Sequence, residues 1–181
     1  MDPVKIISRY YKKDSQAYNI LIEHGRMVAA KAVDIARKIK WMDPDIQFIQ
    51  EAAMLHDIGI FLTRAPQLGC YGDKEYICHG YLGRELLDKE GFPRHALVCE
   101  RHIGVGLTVA DIRKQNLDLP LRDMSPVSLE EKIICFADKF FSKRLDTLHT
   151  EKSMDEVRKS IEKFGHDKLI KFEEMTALFS S

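Results

Sequence analysis

The chain has 181 residues, 45% of them apolar, with 28 basic and 28 acidic side chains in balance. That length and composition suit one core of ordinary size, and neutrality excludes a general electrostatic pull toward nucleic acid or acidic membranes while leaving room for a local basic pocket. Cys70, Cys78, Cys99 and Cys135 form no CxxC pair, no apolar run nears the roughly 20 residues of a membrane span, and the N-terminus lacks a basic-then-apolar signal. The expectation is a soluble cytoplasmic protein with free thiols.

A short helix is expected over residues 3–12, capped by Asp2 with Pro3 in its first turn. A long one follows over 15–40. Its apolar stripe, Ala17, Leu21, His24, Val28, Ala32, Ile35 and Ile39, steps by three or four and carries a histidine on the core-facing side. Asp43-Pro44 restarts a helix that runs to about Asp57, with Ile49, Ala53 and His56 on one face and Gly59 releasing the chain. Residues 58–79, with Pro66, Gly69 and Gly72, read as a long loop of the kind that often serves as a lid.

Helices are expected over 80–90 and 94–103, the second carrying His102, and over 108–115, where Asp111 stands in capping-box position behind Thr108. After a loop at 116–127, Ser128 and Glu131 form a capping box for a helix containing residues 133–141. Ser153 and Glu156 form another, opening a charged C-terminal region that Gly165 divides. With little strand character anywhere, the fold class is all-α: a single-domain helical bundle over 1–181, its core at about 15–145 and a C-terminal helical extension at 153–181.

Asp138 is a carboxylate within the apolar segment Ile133-Ile134-Cys135-Phe136-Ala137-Asp138. A buried, unpaired carboxylate is prohibitive, so such a group is paired, protonated or metal-bound. Taken alone, Asp138 reads as a residue on the polar side of its helix, and His24 or His56 as a core histidine. Asp57, at a helix C-terminus, opposes the macrodipole and asks for a cation. Together, two histidines and two aspartates project inward from three apolar helices. Imidazole and carboxylate without thiolate suit one or two divalent ions drawn from Mn, Fe, Co, Ni, Zn or Mg.

The order His24, His56-Asp57-Ile58-Gly59, Asp138 resembles the signature of the HD superfamily of metal-dependent phosphohydrolases, in its HDIG subgroup. The resemblance spans residues 24–141 and implies an all-α bundle. His79 and His102 extend it: they resemble the extra pair of binuclear members, in which Asp57 would bridge two ions, one completed by His24, His56 and Asp138 and the other by His79 and His102. The motifs of guanosine tetraphosphate hydrolases and of cyclic dinucleotide phosphodiesterases are missing, since Ile60 and Phe61 follow Gly59 and Gly80-Tyr81-Leu82 is not Gly-Tyr-Pro. His95, His149 and His166 read as surface residues.

The expected activity is metal-dependent hydrolysis of a nucleotide or other small phosphate ester by a metal-activated water, with Asp57 and His56 as catalytic residues. Arg26, Arg64, Arg101 and Lys139 are the candidate phosphate contacts, and Tyr71 or Tyr76 are candidates to stack on a base. No nucleic-acid or membrane partner is expected. The alternatives are a di-iron oxygenase of a small organic substrate, which some binuclear relatives resemble, and a non-catalytic metal-binding regulatory module.

Overall fold

The computed structural model describes residues 1–180. Nine α-helices run along those residues: α1 Pro3–Tyr10, α2 Gln16–Lys38, α3 Ile46–Leu55, α4 His79–Lys89, α5 Pro93–Arg101, α6 Val109–Lys114, α7 Leu129–Asp138, α8 Met154–Glu162 and α9 His166–Ser180. The starts follow local chemistry. Asp2, Ser15, Asp45, Thr108, Ser128 and Ser153 each accept a backbone N–H of the first turn, and the last three form full capping boxes with Asp111, Glu131 and Glu156.

The long helix α2 buries Leu21, His24, Val28, Ala32, Ile35 and Ala36 against α3 and α7. The apolar core collects side chains from Ile6 in α1 to Phe179 in α9. Phe136 of α7 stacks on Phe172 of α9 with ring centroids 5.0 Å apart, which ties the C-terminal helices to the central bundle.

Four boundaries differ from the sequence expectation. The cap of α3 is Asp45, not Asp43, because Asp43 adopts a left-handed conformation (φ 54°) that closes a single 3-10 turn before it. Residues 58–79 are more ordered than a bare loop: 3-10 turns at Ile58–Leu62, Pro66–Leu68 and Tyr76–Cys78 surround a two-stranded antiparallel hairpin, β1 Arg64–Ala65 and β2 Cys70–Tyr71, in which Arg64 pairs with Tyr71 and Ala65 with Cys70. The hairpin is fastened by Arg64 N–H donating to the Lys74 carbonyl at 2.7 Å.

Helix α7 ends at Asp138, and Lys139, Phe140 and Phe141 follow in a tighter turn, their N–H groups donating to the carbonyls three residues back. Finally, Gly59 is not a left-handed terminator. It sits in a 3-10 turn where a Cβ would collide with the His79 carbonyl and the Gly83 backbone. Glycine is required there so that α4 can approach His56-Asp57, and the same close packing delivers His79 to the site.

Candidate metal centre

Six side chains from five elements converge around Asp57. His24 comes from the middle of α2, His56 and Asp57 from the turn after α3, His79 from the first position of α4, His102 from the end of α5 and Asp138 from the end of α7. All six are buried, Asp57 completely and Asp138 to within 8%. Asp138 therefore does not lie on the polar face of its helix.

Asp57 presents one oxygen to each of two donor groups. Its Oδ2 lies 3.3 Å from His24 Nε2 and 3.1 Å from His56 Nε2. Asp138 Oδ1 closes that group, 3.0 Å from His24 Nε2 and 3.4 Å from His56 Nε2. The other oxygen, Oδ1, lies 3.2 Å from His79 Nε2 and 3.4 Å from His102 Nε2. Within each group, one donor atom per residue lies within 4.8 Å of all the others.

The outward nitrogens of three histidines fix how the inward ones behave. His56 Nδ1–H donates to the Ala53 carbonyl at 2.5 Å, His79 Nδ1–H to the Tyr76 carbonyl at 2.5 Å, and His102 Nδ1–H to the Cys99 carbonyl at 2.7 Å. A carbonyl can only accept, so each Nδ1 carries a proton and each ring turns its Nε2 inward to the centre. The Nε2 atoms of His79 and His102 stand 3.2 Å apart. Two lone pairs at that separation repel unless a cation lies between them and a shared acid. His56 Nε2 and Asp57 Oδ1 have no hydrogen-bond partner of acceptable geometry although they are buried, and Asp57 Oδ2 has the Lys143 ammonium 2.7 Å away. Orphaned acceptors in a dry site are costly. Nitrogen and carboxylate donors in this arrangement fit a divalent metal ion, and the chain binds one as a cofactor.

The electrostatics agree with a site made for positive charge. Burial pushes His24 down to about 4, helped by the Lys143 ammonium, and pushes His102 down to about 4, so both rings are neutral near pH 7. Burial opposes a charge on His56 as well, but Asp57 and Asp138 outweigh it and raise it to about 9. Burial also opposes ionisation of the two acids. The His56 and Lys143 charges overcome that for Asp57, and Lys139 and Lys143 for Asp138, holding both well below the usual carboxylate range.

The proposed phosphate contacts have separate fates. Lys139 is at the site, its ammonium 2.7 Å from Asp138 Oδ2 and donating to the His102 carbonyl at 3.1 Å. Arg26 is exposed and pairs with Glu23 at 2.7 Å along its own helix, and Arg64 is exposed on β1. Arg101 is held by both oxygens of Glu131, at 2.9 and 3.0 Å. Tyr71 is 79% exposed, whereas the Tyr76 ring packs on His79 with centroids 4.6 Å apart. His149 and His166 are exposed as expected. His95 is not a surface residue: it packs between Phe48 and Phe92 and lies 3.5 Å from Glu51.

Lys143 is the residue that sequence reasoning missed. Its Nζ lies 2.7 Å from Asp57 Oδ2 and 3.9 Å from Asp138 Oδ1. Burial would favour the neutral amine, but Asp57 outweighs it and keeps Lys143 charged. It belongs to a polar stretch, Ser142-Lys143-Arg144, where a lysine looks like any solvated cation. No local signal distinguishes it.

An all-helical scaffold with a buried histidine–aspartate centre defines a class of metal-binding bundles, and the comparisons narrow it. The family described as HD domain matches residues 21–142. The chain belongs to that family, one of metal-dependent phosphohydrolases. It is 34% identical over 148 residues to the uncharacterized protein MJ0778 of Methanocaldococcus jannaschii, covering 79% of this chain and 76% of that one. It is also 34% and 32% identical to tRNA (cytidine(56)-2'-O)-methyltransferases of Thermoplasma volcanium and Picrophilus torridus, covering 73% and 72% of this chain but 34% of each relative. The chain thus spans about a third of those two proteins. The solved HD domain of the Listeria monocytogenes phosphodiesterase PgpH has the same fold, with a TM-score of 0.56 at 17% identity, covering 96% of this chain and 94% of that one. Among the described residues, no helix is long and apolar enough to cross a membrane.

Proposed function

We propose that this chain hydrolyses a small phosphate ester, such as a nucleotide, with His24, His56, Asp57 and Asp138 holding one divalent ion and Asp57, His79 and His102 a second. The observation that carries the reading is the two-sidedness of Asp57, each of whose oxygens faces its own pair of imidazole nitrogens. A divalent ion in such a site supplies an acidified water and offsets charge on the phosphoryl oxygens.

The chain's own groups do the rest. The backbone carbonyls behind His56, His79 and His102 keep the rings oriented, so the geometry is set before substrate arrives. With both Asp57 oxygens turned to the two donor groups, Asp138 Oδ2 is the carboxylate oxygen left to accept the proton that the attacking water gives up, in exchange for its Lys139 partner. Lys139 and Lys143 add fixed positive charge beside the acids, where burial strengthens their pull on a phosphoryl group. The products are an alcohol and inorganic phosphate, the water's oxygen ending on phosphorus and its proton on the leaving group. The methyl transfer named for two relatives belongs to proteins of which this chain spans a third, and it is not carried over.

The test is direct. Protein purified with its metal retained is analysed for metal content and assayed against phosphomonoesters and nucleotides. Active protein with one or two ions per chain, and loss of both metal and activity in His56→Ala and Asp57→Ala, is the expected result. Full activity in variants that have lost their metal would remove the site from the reaction. Oxygen uptake on substrate addition by an iron-loaded sample would instead point to an oxygenase.

A further inference from the structure

A cavity of about 330 Å³ opens beside Asp138. Its floor carries Asp138, Lys139 and Lys143, and its far wall is formed by Lys152, Ile161 and Phe164. The far wall lies beyond residue 142, where the family match ends. The C-terminal segment therefore closes a chamber over the acids, and this chain builds that side from residues outside the matched region.

Two observations say what the chamber takes. The first is charge. Lys139 pairs with Asp138 and Lys143 with Asp57, but the Lys152 ammonium makes no ion pair with a described carboxylate and donates to the Lys139 carbonyl at 3.4 Å. Lys168 also lines the cavity but is held by Asp111 and Asp167, so four ammonium groups share the chamber with one lining acid, Asp138. Asp138 and Asp57 also face the imidazoles, and ions held there would draw both carboxylates away from the lysines. The half-buried Lys152 ammonium, without a carboxylate partner among the described residues, favours an anion in the chamber. The second observation is shape. Ile161 is buried, whereas Phe164 is 75% exposed on the chamber wall, and Val105, Leu107 and Leu117 add apolar lining beside the polar Gln115 and Ser160. A volume near the lower end of the roughly 300–1,000 Å³ typical of ligand sites suits one compact molecule.

We propose that this chamber is the substrate pocket and that the C-terminal segment sets its specificity: it takes a phosphate monoester bearing a compact aromatic or apolar group, with the phosphate on Lys139, Lys143 and Lys152 and the organic group against Ile161 and Phe164. The choice of phosphate among anions rests on the hydrolase reading above. The occupancy of the chamber by an anion does not.

The test uses the full chain with its metal retained. Binding of inorganic phosphate is measured by titration calorimetry, and hydrolysis of phenyl phosphate and of glycerol 3-phosphate by phosphate release. Lys152→Gln is expected to weaken inorganic phosphate and raise KM for both esters about tenfold or more, with a smaller loss in kcat, and Lys152→Arg to restore most of it. Phe164→Ala, at an exposed position that the fold tolerates, is expected to lower the preference for phenyl phosphate over glycerol 3-phosphate severalfold. Metal content and circular dichroism are checked in each variant.

If the wild-type chain hydrolyses the esters while neither substitution alters phosphate affinity or the preference, the chamber assignment is wrong and the hydrolase reading stands. If it binds inorganic phosphate in a Lys152-dependent way yet hydrolyses no ester, the chamber stands and the reaction falls. If it neither binds nor hydrolyses, both are overturned.

Discussion

The two donor groups that meet at Asp57 are built differently. His24, His56 and Asp138 come from α2 and the ends of α3 and α7, and they add a second carboxylate to the shared one. His79 and His102, from the start of α4 and the end of α5, bring only imidazoles and depend on Asp57 for any negative charge. The charge count and rigidity of the ligands set affinity for a divalent ion. Lys139 bonds the outer oxygen of Asp138 and leaves Oδ1 to the imidazoles, so the first group keeps its extra charge. The difference teaches that the two halves would hold an ion unequally, since the first offers a second carboxylate and the other has fewer protein donors.

Substitutions break this comparison in a graded way. Asp57→Ala removes the only residue common to both halves. It is expected to empty both and to lower activity by roughly a thousandfold or more, read as metal per chain together with turnover. Asp138→Ala and the pair His79→Ala/His102→Ala separate the halves. Each is expected to cost one ion, and a chelator titration of the wild type should release the His79/His102 ion first. Simultaneous release of both would show the halves to be equivalent.

Removing metal altogether is expected to lower the melting temperature. An ion present at 1,000 times its Kd contributes about 4 kcal/mol, which for a chain of this size is roughly 8–16 °C in Tm. The check is calorimetry with and without chelator.

A smaller effect is expected away from the centre, where Lys168 of α9 reaches Asp111 of α6 at 2.5 Å and pins the C-terminal helices beside the chamber. Burial opposes the charge on Asp111, but Lys168 and the Thr108 groups outweigh it and lower its pKa to about 2. A depressed acid stabilises the fold above its unfolded pKa, near 4, and that contribution disappears as pH falls toward 2. Asp111→Asn should cost about 1–2 kcal/mol at pH 7 and flatten the loss of stability between pH 4 and 2, as followed by urea unfolding. The smallest effect is expected from His149→Ala and His166→Ala, both at exposed positions: metal content should not change.

Much of the centre was legible because its residues carry local signals. A histidine in an apolar stripe, an His-Asp-Ile-Gly at a helix end, and an aspartate at the end of an apolar helix each contradict their surroundings, and together they ask for a cation. The helix starts were legible for a similar reason, since a capping box is completed within four residues. The weaker readings lacked such signals. Asp43-Pro44 and Asp45 offer competing caps two residues apart, and only the left-handed turn at Asp43 decides between them. His95 has charged neighbours in sequence, so its burial against Phe48 of another helix left no local trace. Arg101 sits beside His102 in sequence, yet Glu131 of α7 captures it.

The sequence by itself determined the all-helical class, the donor chemistry and the order of the ligands, because each depends on side-chain type and on spacings of a few residues. Only the tertiary structure decided that Asp57 faces two ways, that Gly59 lets α4 bring His79 to it, that Lys143 reaches the acids, and that Lys152 and Phe164 close a chamber above them. Those outcomes depend on where distant segments pack, and packing is settled by the shared core rather than by any stretch of chain read alone.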